Sequence, residues 1–179
     1  MRATDWGWEK GDRAVSATLD QLAEWMAADE AEHLEFKEAK ASFDKEKLVR
    51  YCAALANEGG GHLVLGVSDK KPRRVVGSKA LLDVGAVKHM LVERLHLRVD
   101  MDELVHPDGR VLVFSVPSRP IGVPIPVDGA YLMRSGESLV AMTPDFLREI
   151  FSEGQPDFSA TVCQGASLDD LSPEAIQLF

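Results

Sequence analysis

The sequence has 179 residues, 45% of them apolar, enough for one substantial hydrophobic core with an appendage. A formal net charge of -9 argues against a chain that coats nucleic acid by bulk electrostatics, and no run approaches the roughly 18 apolar residues of a membrane span. Cys52 and Cys163 lie far apart outside any C-x-x-C spacing, and MRATDWGWEKGDRAV lacks a signal-peptide apolar region, so a soluble cytoplasmic protein without a disulfide framework or common zinc site is expected.

In chain order, Thr18 followed by Gln21 forms a capping-box pattern, and Leu19, Leu22, Trp25 and Met26 recur at helical spacing up to about Asp29. HLEFKEA then alternates, with Leu34 and Phe36 on one side and Glu35 and Lys37 on the other, the pattern of a strand with one buried face. Asp44 can cap a helix whose Leu48, Tyr51, Cys52 and Leu55 form an apolar stripe, and Gly59, Gly60 and Gly61 stop it. His62 to Ser68 reads as a central strand buried on both faces, Val75 and Val76 as a short strand, and Val84, Val87, Leu91 and Leu95 as a long helix. LRVDMDEL and RVLVFSVP flank an Asp108-Gly109 hairpin signal, and the proline-rich PSRPIGVPIPVDG reads as an ordered but irregular loop. AYLMRSGESLVAM suggests a hairpin around Ser135 and Gly136, and Thr143-Pro144 opens a final helix through Phe151.

These elements predict an α/β (α+β) domain over residues 18–152, with a mixed central sheet packed by helices. Residues 1–17 read as an N-terminal extension. Residues 153–179 read as an acidic tail in which SPEAIQLF has the start of a helix, as at the beginning of a truncated following region. Charge is uneven along the chain. From Lys70 to Arg98 there are eight Lys or Arg against Asp83 and Glu93, whereas from Val99 onward four Arg face thirteen acids. Such a band permits a local polyanion site, and it also fits an ordinary solvated surface.

Several patterns occur together in a definite order: Glu30-x4-Glu35-Phe36-Lys37, then ALANEGGGHLVLGVSD, VLVFSVP and AYLMRSGES, with PDFSA in the tail. The set resembles the Schlafen AlbA-type domain, also called the divergent AAA domain, over roughly residues 20 to 179. The resemblance implies a mixed-sheet α/β domain described in bacteria as a nucleic-acid-binding module of regulators. In the Schlafen branch it implies metal-dependent endoribonucleases acting on structured RNA, with an acidic trio matching Glu30, Glu35 and Asp69 and with Lys37 beside it. Ala31 stands where a serine commonly follows the first glutamate.

Five residues apart on one helix or one strand, Glu30 and Glu35 point in different directions, so a shared site needs a break between them. The predicted helix end supplies it. Three carboxylates suit Mg or Mn, which would activate water and balance charge on a phosphodiester, and Lys37 would contact phosphate or neutralise a carboxylate. The plainer alternative is that Lys37 pairs with Glu35 while the other acids are solvated. The triple glycine lies between helix and strand, the reverse of a phosphate-binding loop, so it reads as a cap and turn, and ATP is not expected. His62 reads as a structural histidine, His33 as a weak site neighbour, and His89 and His96 as surface residues.

For contact with RNA or DNA phosphates the sequence points to Lys37, Lys70, Lys71, Arg73, Arg74 and Arg134, of which the four in the loop directly follow Asp69. Three readings remain open: a nucleic-acid-binding module of a regulatory or defence protein, an Mg- or Mn-dependent endoribonuclease using Glu30, Glu35, Asp69 and Lys37, and a protein-interaction module. The resemblance also makes a homodimer an expected arrangement.

Overall fold

The computed structural model describes residues 16–28, 33–136 and 138–154, and these form an α+β domain of four helices and two sheets. The extension and tail predicted at either end lie largely outside the described residues. Helix α1 (Leu19–Ala27) starts at the predicted cap, where the Thr18 hydroxyl accepts from the Gln21 amide at 3.2 Å. Asp44 caps α2 (Lys45–Asn57) through the Lys47 amide at 2.7 Å, and Asp83 caps α3 (Val84–Leu95) through the Ala86 amide at 2.9 Å. Thr143 caps α4 (Pro144–Ser152), with proline in the first turn where its missing N–H costs no helical bond.

The main sheet contains β1 (Leu34–Lys37), β2 (Gly61–Leu65), β3 (Asp100–His106) and β4 (Gly109–Val116), in the order β1-β2-β4-β3. β1 and β2 run parallel, which requires a crossover, and α2 is that crossover. The other pairings are antiparallel. Alternation divides the side chains between two buried faces. Phe36, Val64, Val111 and Val113 meet Leu22 of α1, while Leu63, Leu65, Leu112 and Phe114 meet α2 and α3. β2 is the central strand of the predicted pattern, buried over Leu63–Leu65, although it ends earlier than expected. Beyond it, the predicted Val75–Val76 strand is reduced to one bridge between Val67 and Val75. In the β3–β4 hairpin His106 pairs with Gly109, so the two-residue turn is Pro107–Asp108, one position before the expected pair.

A second antiparallel sheet, β5 (Pro126–Val127), β6 (Ala130–Ser135) and β7 (Ser138–Ala141), contains the predicted later hairpin. The end of the proline-rich stretch is more regular than its composition indicates. Asp128 and Gly129, with φ of 50° and 80°, join β5 to β6 in a tight turn of the kind that matches strand twist. Ile125, Val127 and Leu132 share the core of α2 rather than extending the main sheet. Asn57, buried at the end of α2, fixes this docking: its Oδ1 accepts from the Ile125 amide at 2.7 Å, and its Nδ2 donates to the Ile125 and Leu132 carbonyls at 3.1 and 3.0 Å. A buried amide is retained when its donors and acceptors are matched in this way. Arg119 satisfies carbonyls at the same helix end, donating from its backbone to Ala56 and from Nε to Asn57. Its guanidinium also forks onto Glu153, both contacts at 2.7 Å. That fork, aided by the Gly122 amide, holds the Glu153 carboxyl down to about 2.

Candidate functional site

Alternation along β1 predicts that Glu35 and Lys37 share a face, and they do, but that face is covered. Glu35 is 8% exposed, in register with Leu63, and Lys37 lies in register with Leu65. β1 therefore has two covered faces rather than the single buried face its pattern implies. The cover comes from α2 and β6, far away in sequence.

Burial of these charges is accompanied by pairing. Lys37 Nζ lies 2.7 Å from Glu35 Oε1 and 3.7 Å from Asp69 Oδ2. The other Glu35 oxygen is 3.3 Å from an Arg134 Nη, and Arg134 Nε donates to Glu58 at 2.9 Å. The Arg134 amide also donates to Glu58, at 2.8 Å, which ties β6 to the end of α2. The result is one continuous chain of alternating charge: Glu58, Arg134, Glu35, Lys37, Asp69. Asp69 forms its open end, with a 41% exposed side chain against 12% for Lys37 and 10% for Arg134. The Glu38 amide donates to Asp69 Oδ1 at 3.0 Å, so the end of β1 and the loop after β2 are fastened together.

Tyr51 of α2 forms a wall of the site, with Lys37 Nζ 5.4 Å from its ring centroid. Burial alone would lower the Lys37 pKa, but the hydrogen bond to Glu35 and the fields of Glu35, Tyr51 and Asp69 outweigh it and raise the value. The Tyr51 phenol is raised as well, first by burial, with nearby Lys37 opposing.

The loop after Asp69 divides its cations between two places. Lys70, Lys71 and Arg74 are exposed, and the loop is closed by the Ser68 amide donating to the Arg74 carbonyl and the Arg74 amide donating to the Ser68 hydroxyl. Arg73 lies toward the α1 face, 4.5 Å from the Phe36 ring centroid and donating to the Ala28 carbonyl. Arg134 is taken up in the ion chain. Thus Glu35, Lys37, Asp69 and Arg134 come together, Lys70, Lys71 and Arg74 adjoin the Asp69 end in sequence, and Arg73 is directed elsewhere.

The histidines stay outside the ion chain. His33 contacts the Gly60 carbonyl at 2.8 Å. His62 meets the Ser115 hydroxyl at 3.2 Å and the Trp25 ring at 4.6 Å, and its burial lowers its pKa. His89 lies beside Glu93, and His96 caps α3 in a left-handed conformation.

The Schlafen, AlbA_2 family model matches residues 30–143. The chain belongs to this family. Among solved structures, the DIP2311 protein from Corynebacterium diphtheriae is similar, with a TM-score of 0.58 and 22% identity over 89% of this chain. This chain covers 36% of that protein, and the likeness concerns the fold alone. The N-terminal domain of an ATP-dependent DNA helicase RecG-related protein from Nitrosomonas europaea is 27% identical, with a TM-score of 0.45, covering 66% of this chain and 88% of that domain. No curated protein matches the chain.

For this AlbA_2 domain, Glu30 of the expected trio lies outside the described residues. Among the described residues, no group of three or more His, Cys, Asp or Glu side chains is arranged to hold a metal ion. Both Glu35 oxygens already face cations, Lys37 on one side and Arg134 on the other. The described donors therefore do not fit a divalent ion by themselves. Sequence reasoning did not include two members of the site, Glu58 and Tyr51. Glu58 stands inside NEGGGH, and the available signal was an acid on the last turn of a helix that the glycines fix in place.

Proposed function

We propose that this AlbA_2 domain is a nucleic-acid-binding module that holds backbone phosphates at the loop beginning with Lys70. The observation that carries the reading is the run of exposed Lys70, Lys71 and Arg74 directly after Asp69, the open end of the ion chain. Local cations of this kind attract a polyanion despite a net charge of -9, because screening limits the repulsion from distant acids to about 8 Å at physiological salt. Phosphate contacts of this type give position and affinity without reading bases.

A second reading, metal-dependent RNA cleavage at Glu30, Glu35 and Asp69 with Lys37 beside them, is favoured by one observation: Glu35 and Asp69 both converge on the Lys37 ammonium. It requires Glu30 to join them and Glu35 to be released from its cations.

One experiment tests both. The purified chain is incubated with tRNA, single-stranded RNA and duplex DNA, with and without Mn²⁺, and both retention and strand breaks are recorded. The binding reading expects retention that weakens in the Lys70→Ala/Lys71→Ala/Arg74→Ala variant, with its salt slope reduced by roughly 0.7–0.9 per lost phosphate contact. The cleavage reading expects Mn²⁺-dependent breaks that vanish in Glu35→Ala and Asp69→Ala. Absence of both retention and breaks would leave a protein-interaction role.

A further inference from the structure

A groove of about 650 Å³ lies between α2 and the β6–β7 hairpin, lined by Asp44, Glu46, Lys47, Arg50, Tyr51 and, across from them, Asp128, Ser138 and Leu139. Its three carboxylates are already engaged. Glu46 receives both Arg94 Nη groups at 2.8 Å, Asp128 receives Arg94 at 3.2 Å, and Asp44 caps α2. Its two cations differ. Among the described residues, neither Lys47 nor Arg50 forms a close ion pair, although after Arg94 the field of Arg50 helps to lower the Glu46 carboxyl, and both cations are exposed.

Lys47 and Arg50 are three residues apart on one helix and so are neighbours on its surface. Lys47 Nζ is 5.8 Å from the Phe43 ring centroid and 5.9 Å from that of Tyr51, which lines the groove. Tyr51 links the groove to the ion chain, because Lys37 approaches the same ring. Lys47, on the groove side, and Lys37, of the Glu35 pair, therefore both approach the Tyr51 ring.

We propose that this groove holds the phosphates of a single nucleic-acid strand through Lys47 and Arg50, alongside the ion chain. The inference rests on the nucleic-acid-binding reading above and assigns residues outside the Lys70 loop. A single strand is favoured over a duplex because the groove has the size of a small-molecule pocket, which admits a short piece of one backbone.

The test uses the full 179-residue chain and a short fluorescein-labelled oligonucleotide, as single-stranded RNA, single-stranded DNA and duplex, with anisotropy measured across a salt series. Lys47→Ala/Arg50→Ala keeps good helix formers at exposed positions and is checked for folding by circular dichroism. The expected result is that the slope of log K against log salt for single strands falls by about 1.4, since each phosphate contact contributes roughly 0.7. Arg148→Ala, an exposed cation of α4 paired with Asp145, should leave the slope unchanged. An unchanged slope in the double variant, with wild type binding normally, overturns the groove alone. An equal loss for duplex overturns the single-strand assignment. Failure of the wild type to bind any of the three overturns the nucleic-acid reading and this inference with it.

Discussion

Replacing Lys37 by methionine keeps the length and apolar stem of the side chain and removes only the ammonium. At 2.7 Å from Glu35, the gross attraction is about 6 kcal/mol at an effective dielectric constant of roughly 20. Most of that offsets the cost of taking two charges out of water, and removing one partner of a buried pair typically costs about 3–5 kcal/mol because the other is left uncompensated. Two features place this site at or just below the bottom of that range. Arg134 still faces the second Glu35 oxygen at 3.3 Å, and the half-exposed Asp69 regains water. The expected loss is therefore about 2–3 kcal/mol, which for a chain of this size lowers Tm by about 5–10 °C.

The same variant carries a pH signature. The native Lys37 pKa is raised above its ordinary value of 10.5, so its contribution is fully present below that value and disappears as pH rises through the native one. Urea unfolding of wild type and Lys37→Met should give a constant gap from pH 7 to about 10, closing at higher pH. Adding Glu35→Gln should cost less than the sum of the single changes, by about 0.5–3 kcal/mol. A Lys37→Met protein within about 0.5 kcal/mol of wild type at neutral pH would show that the pair is an ordinary surface contact.

Two further substitutions test the framework around the site. Asn57→Ala leaves the Ile125 amide and the Ile125 and Leu132 carbonyls without their partner, at a cost of about 3 kcal/mol or more. Hydrogen exchange should quicken in β5 and β6 before β2 and β4, and uniform quickening would refute Asn57 as the specific link. Gly61→Ala places a Cβ against the His33 backbone carbonyl, the group that accepts the His62 amide, at a φ of 152°. Strain and crowding together predict a loss of about 3–5 kcal/mol, whereas Gly129→Ala, with nothing within 4 Å of the new methyl, should cost about 1–2 kcal/mol. Equal urea midpoints for the two variants would refute this account of the β1–β2 junction.

Features decided within a few residues were legible in the sequence. Thr18, Asp44 and Thr143 announce their helices because a side-chain oxygen meets an amide three residues ahead, and no distant partner is needed. The grouping of Glu35, Lys37 and Asp69 was expected from the family resemblance alone; the parallel β1–β2 pairing that brings the loop after β2 beside the end of β1 is not written in any local pattern. The Asp128-Gly129 turn was written locally, but the neighbouring prolines concealed the two-residue strand before it. What could not be read is the partnership of Arg134 with Glu58, 76 residues away, because it depends on where the second sheet docks.

That docking accounts for the one qualitative surprise in β1. A strand alternating Leu-Glu-Phe-Lys ordinarily turns its charged side to water, and nothing local opposes this. Once β6 closes over α2, however, Glu35 and Lys37 lose that water, and their burial is tolerable only if each finds an opposite charge. Lys37 and Arg134 meet this need for Glu35, Glu58 meets it for Arg134, and Asp69 completes the set from the loop. A chain built this way is closed along its length and exposed at its end. Solvent reaches Asp69 and the cations that follow it, whereas both Glu35 oxygens are already occupied by seated cations.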